Sequence, residues 1–213
     1  CLGGYTPGRG DLDILIVCKQ SMSRQARIDF ADALLLLHNA PCPIELSVLT
    51  EEGLAHTSPI CTFHFSSMWA PRYAAHDDSN PLLDADFPDD DIPAYFRVAR
   101  ENGICLYGEE AASLLPAVSD ETFYASITDG IADYSFDAYD SFASNILTLP
   151  RILSFACTRK VLTKLQGAHW AADLYPQYAD LLARAEKEYL TGEEQSFSFA
   201  ELETYRNFMI ALI

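Results

Sequence analysis

The sequence predicts an α/β domain followed by an all-helical one, and three observations carry that expectation. Short alternating apolar runs bounded by turn residues, at 12–18, 44–49 and 59–65, occur in the first half only. Beyond Ser119 every apolar pattern has the helical period. Around Pro116 the one pattern gives way to the other, which puts the expected domains at 1–117 and 118–213. With 213 residues, 49% of them apolar, there is enough chain for one large core or two smaller ones.

The first strand expected is 12–18, entered from the glycine-rich stretch Gly3-Gly4-Tyr5-Thr6-Pro7-Gly8-Arg9-Gly10. Asp11 and Asp13 stand two residues apart where it begins, so both side chains leave on one face. Paired carboxylates beside flexible backbone suit a hard divalent cation that keeps positions open for phosphate and water. The same residues also make an ordinary solvated turn.

Residues 21–38 read as a helix with N-cap candidates Ser21 and Ser23, and with Ala31, Leu34, Leu35 and His38 along one face. His38 reads as a helix-end residue rather than a ligand. Pro41 and Pro43 break that helix before the second strand, where Ile44, Leu46 and Val48 share one face and Glu45, Ser47 and Leu49 the other. The third strand, 59–65, leads into Trp69, an aromatic plug for the core on its residues alone. The acidic, proline-broken stretch 77–91 reads as a solvated surface loop. A helix over 91–102 capped by Gly103, a short strand over 104–107 and a helix over 109–115 complete the first domain.

In the second half, 129–140 is dense in acids and aromatics, which suits a cationic polyhydroxylated ligand as well as it suits a solvated face. Pro150 either starts or kinks a helix containing Arg151, whose apolar surroundings call for an anionic partner. Thr163-Lys164-Leu165-Gln166 is a capping box, which puts Lys164 in a first helical turn, where the exposed backbone N–H groups favour an anion such as phosphate. A helix over 178–189 ended by Gly192 and another capped by Ser198 close the chain.

The formal net charge is −17, from 31 acidic against 14 basic residues, which argues against a nucleic-acid-binding face and fits a cationic substrate. No apolar run approaches a membrane span, so no membrane partner is expected. Six scattered cysteines without a Cys-x-x-Cys pair fit a reducing cytoplasm.

The string Pro7-Gly8-Arg9-Gly10-Asp11-Leu12-Asp13-Ile14-Leu15 resembles the signature of the nucleotidyltransferase superfamily, a Gly-Ser pair ahead of an Asp-x-Asp on a strand. More narrowly it resembles aminoglycoside adenylyltransferases of the streptomycin/spectinomycin type, with Pro-x-Ser-Asp-Ile-Asp-Leu-Leu at that place. Gly10 stands where that family has Ser, and the Gly-Ser pair would lie ahead of Cys1, so the domain's start is expected upstream of it. The resemblance continues at Pro43-Ile44-Glu45-Leu46-Ser47-Val48 and at Leu147-Thr148-Leu149-Pro150-Arg151-Ile152.

It implies a nucleotidyltransferase domain with a mixed sheet, then a helical bundle, and Mg²⁺-dependent transfer of AMP from ATP to a hydroxyl of an aminoglycoside or aminocyclitol. Asp11 and Asp13 would be catalytic carboxylates holding Mg²⁺, and Glu45 the base or third carboxylate. Arg151 and Lys164 would contact the ATP phosphates, and Trp69, Tyr134, Asp137 and Asp140 the drug. Ala132 stands at the family's Trp position, with Tyr134 nearby, which turns the expectation away from streptomycin towards spectinomycin or another aminocyclitol. A monomer is expected. The rival readings are a same-fold enzyme with another acceptor, and a degenerate nucleotide-binding or interaction protein.

Overall fold

A computed structural model describes residues 3, 10–56, 58–136 and 142–213. The chain forms two compact units, divided in sequence between Val118 and Ser119.

In the first unit, β1 (Leu12–Cys18), α1 (Arg24–Leu37) and β2 (Ile44–Thr50) form a parallel pair with its crossover helix. Ser23 caps α1 by accepting the Ala26 N–H at 3.2 Å, and His38 ends it, its Nδ1 accepting the Ile44 N–H at 3.1 Å. Next come β3 (Ile60–Phe65), α2 (Ala70–Ala74), β4 (Phe87–Pro88), α3 (Ile92–Asn102) and α4 (Ala111–Leu114). The sheet order is β1-β2-β3-β4, with β3 antiparallel to both neighbours, so the sheet is mixed as expected.

Alternation assigns the two faces. Ile44, Leu46 and Val48 of β2 join Phe63, Phe65, Ala31 and Leu34 in one buried cluster under α1 and α2. Leu49 and Cys61 join Ile92 and Phe96 of α3 in a second cluster on the other face. A bulge separates them in β3: Val48 pairs with Phe63 but Leu49 with Cys61, so Thr62 is the extra residue. Its hydroxyl accepts from the Met22 N–H at 2.7 Å and from Arg27 at 3.3 Å.

Two local expectations fail. The stretch 77–91 is not simply a solvated loop. Leu82 and Leu83 are buried, Phe87 and Pro88 pair with β3, and Asp86 forms an ion pair with the buried Arg27 of α1. Arg27 also donates to Ala85 O at 2.6 Å and Leu82 O at 3.3 Å, because a buried guanidinium demands acceptors. Residues 104–107 form no strand. Leu106 and Tyr107 are 87% and 100% exposed, and Gly108, at φ +87°, turns the chain away. Gly103 does cap α3, donating to Ala99 O at 2.8 Å with an extended backbone, and a Cβ there would lie 2.4 Å from that oxygen.

Every regular element among the described residues of the second unit is helical: α5 (Asp120–Thr128), α6 (Phe142–Thr158), α7 (Lys164–Leu174), α8 (Ala179–Thr191) and α9 (Phe199–Leu212), with short 3₁₀ turns as well. The α6 helix supplies Ala143, Ile146, Leu147, Leu149 and Leu153 to the core, where α7, α8 and α9 add Ala171, Leu182, Tyr205 and Met209. Burying each leucine, isoleucine or methionine of this set contributes about 1.5–3 kcal/mol.

Pro150 sits inside α6 rather than at its start. Having no N–H, it cannot serve the carbonyl four residues back. That carbonyl, Ile146 O, accepts instead from the fully buried Tyr205 hydroxyl at 2.9 Å. Among the described residues no helix is long and apolar enough to cross a membrane.

Candidate active site

The parallel register of β1 and β2 pairs Asp13 with Glu45. Paired residues on neighbouring strands point to the same face, on backbones about 4.8 Å apart. Asp11 lies one residue ahead of β1, and the Leu12 N–H between the two aspartates is anchored to Pro43 O at 2.9 Å. Asp11 and Asp13 are exposed and Glu45 is half-buried. Local geometry thus gathers three carboxylates at the leading ends of two adjacent strands. Among the described residues no group of three or more His, Cys, Asp or Glu side chains is disposed to hold a metal ion by itself.

Two further side chains reach this face. Tyr95 of α3 donates its hydroxyl to Glu45 Oε1. Burial raises the Tyr95 pKa first, and the charges of Glu45, Asp13 and Asp91 raise it further, so the phenol stays a protonated donor. On β3, His64 Nδ1 lies 3.0 Å from Ser47 Oγ. Burial lowers the His64 pKa against the opposing pull of Glu45 and Asp89. Neither residue stood out in the sequence. Tyr95 belongs to the apolar stripe of α3, and only the strand register reveals that its hydroxyl meets a carboxylate.

Trp69 is the N-cap residue of α2 and packs half-buried against the cluster under α1, with the Arg72 guanidinium 5.3 Å from its ring centre. That cluster lies on the sheet face opposite Asp13 and Glu45.

In the helical unit, Arg151 lies mid-α6, and Lys164 opens α7 behind the capping box of Thr163 and Gln166, both halves of which are formed. Gly167 brings the two helices together, because a Cβ there would lie 2.8 Å from the Arg151 Cα and N. Lys164 Nζ donates to Ser144 Oγ and sits 5.7 Å from the Tyr189 ring centre. Tyr134 packs half-buried on this core, its hydroxyl donating to Asn145 O at 2.8 Å. Asp137 and Asp140 lie outside the described residues, as do Tyr5 to Arg9 of the glycine-rich approach to β1.

Residues 113–211 match the family model of the aminoglycoside adenylyltransferase C-terminal domain. Over that stretch the chain is similar to the aminoglycoside adenylyltransferases. It is 24% identical to spectinomycin 9-adenylyltransferase of Campylobacter jejuni, over 95% of this chain and 79% of that one. It is 23% identical to aminoglycoside (3'') (9) adenylyltransferase of Klebsiella pneumoniae, over 93% and 78%. A crystal structure of spectinomycin adenyltransferase AAD(9) from Enterococcus faecialis with ATP and spectinomycin has the same fold, with a TM-score of 0.83 at 19% identity, over 98% of this chain and 86% of that one. On these similarities the chain is a nucleotidyltransferase.

Proposed function

We propose that this adenylyltransferase moves AMP from ATP to a hydroxyl of an aminocyclitol or aminoglycoside antibiotic of the spectinomycin or streptomycin class, and so confers resistance. The observation that carries the reading is the register pairing of Asp13 with Glu45, with Asp11 two residues before Asp13. The names of the relatives support the acceptor class, because two of them carry spectinomycin in theirs.

Glu45 takes the proton of the attacking hydroxyl as that oxygen bonds to the α-phosphorus. The bond from the α-phosphorus to the bridging oxygen breaks, and pyrophosphate leaves with the electron pair. General-base help of this kind contributes about 10²–10⁴-fold. Asp11 and Asp13 suit a magnesium ion: they are hard oxygen donors, exposed, and two residues apart where β1 begins. When bound, that ion polarises phosphoryl oxygens and offsets the charge of the triphosphate. Arg151 and Lys164 are cations for the remaining phosphate charge, and Lys164 adds the exposed N–H groups at the start of α7. Tyr134, Asp137 and Asp140 are the proposed drug contacts, whereas Trp69, packed on the opposite sheet face from Glu45, fits its role as an aromatic plug under α1 better. For Tyr134, whose hydroxyl already serves Asn145 O, the contact is through the ring. The net charge of −17 draws a polycationic acceptor inward.

The test incubates the protein with MgATP labelled at the α-phosphate and with spectinomycin or streptomycin. Label recovered on one drug supports the reading. Label on neither, under conditions where ATP binds, assigns the fold to another acceptor.

A further inference from the structure

Glu45 is a long carboxylate at the start of a strand, on the sheet face it shares with Asp13. Left alone, such a side chain samples several rotamers, and the order needed for proton transfer would have to be supplied during the reaction. One contact removes that freedom. The Tyr95 hydroxyl, presented by α3, donates to Glu45 Oε1. We infer that Tyr95 is a positioning residue, fixing the Glu45 carboxylate through Oε1 so that Oε2 is the oxygen that takes the acceptor's proton. The inference rests on the adenylyl-transfer reading above.

Packing alone does not account for a tyrosine at this place. Ile92 and Phe96 on the same helix are 0% and 1% exposed and already fill the core beneath α3. Tyr95 is half-buried, so phenylalanine would cover the same apolar surface without placing a polar atom there. The hydroxyl donates to a carboxylate oxygen 50 residues away in sequence, and hydrogen bonds to charged acceptors are the stronger kind.

The experiment compares wild type, Tyr95→Phe, Glu45→Gln and the double variant in drug-dependent pyrophosphate release, and follows heat unfolding of Tyr95→Phe, Glu45→Ala and their combination. Tyr95→Phe lowers kcat by about tenfold to a hundredfold, the effect of a misplaced reacting group. KM for ATP stays within about twofold, because no ground-state contact to the nucleotide is lost. In the Glu45→Gln background the same change has no further effect, since Tyr95 acts through Glu45. A purely structural tyrosine would lower activity in both backgrounds. Non-additive shifts in Tm for Tyr95→Phe and Glu45→Ala show that the bond forms in solution. An unchanged kcat in Tyr95→Phe, or additive Tm shifts, overturns the inference and leaves adenylyl transfer standing. Absence of drug-dependent turnover by the wild type overturns both.

Discussion

Replacing Tyr205 by phenylalanine tests the helical core where a proline has broken its hydrogen-bond ladder. Tyr205 is fully buried and donates to Ile146 O at 2.9 Å, the carbonyl that Pro150 cannot serve. Tyr205→Phe keeps the ring but strands a buried acceptor, which costs about 1–3 kcal/mol. Taking about 2 kcal/mol for a unit of roughly a hundred residues, the helical unit's Tm falls by about 8–15 °C. The decisive variant is Pro150→Ala, which returns an N–H that can donate to Ile146 O. In that background Tyr205→Phe costs about 1 kcal/mol less, because the acceptor keeps a donor. Heat and urea unfolding followed by far-ultraviolet circular dichroism measures all four proteins. Equal losses in both backgrounds, or none in either, would refute the assignment of the Tyr205 hydroxyl to the proline gap.

Three more outcomes follow from packing and charge. Gly167→Ala puts a Cβ 2.8 Å from the Arg151 backbone, so α6 and α7 must separate. A loss of about 1–3 kcal/mol in unfolding free energy is expected, together with a higher KM for ATP. Arg27→Met strips the buried ion pair with Asp86 and two carbonyl contacts. Since Asp86 is 28% exposed and partly hydrated, the expected loss is about 2 kcal/mol, below the ~3–5 of a fully buried pair, read from urea unfolding of the first unit. His64 has a folded pKa below its ordinary 6.5, so the unfolded chain binds its proton first as pH falls. Its contribution to stability is complete above 6.5 and declines as pH drops through the window between the unfolded and the lower folded value. Urea midpoints against pH should therefore fall less steeply below 6.5 in His64→Gln than in wild type.

Much of this was legible in the residues, for reasons that also explain the misses. Ile44, Leu46 and Val48 alternate because one face of β2 is buried, and the capping box of Thr163 and Gln166 marks the start of α7 by its own chemistry. The carboxylates were legible as residue types, but the Asp13 to Glu45 pairing is a property of parallel register, which no local pattern encodes. The bulge at Thr62 breaks the alternation of β3, and β4, at two residues, is too short to have a period. Arg27 and Asp86 find each other across 59 residues, so the acidic stretch read as solvated where it in fact closes over a buried cation. Residues 104–107 have strand-like composition, but a strand needs a neighbour to bond to. Here the backbone is held locally instead, with the Cys105 thiol donating to Glu109 O at 3.3 Å.

The measurement that tests the central claim most directly is pyrophosphate release from MgATP by wild type and Asp13→Asn, with spectinomycin, with streptomycin and with no acceptor. Asp13 is exposed, so the substitution leaves the fold intact by circular dichroism. The account predicts release that requires one of the drugs and disappears in Asp13→Asn. Drug-dependent release that survives in Asp13→Asn would contradict it, because the Asp13 and Glu45 pair would then not be the catalytic centre.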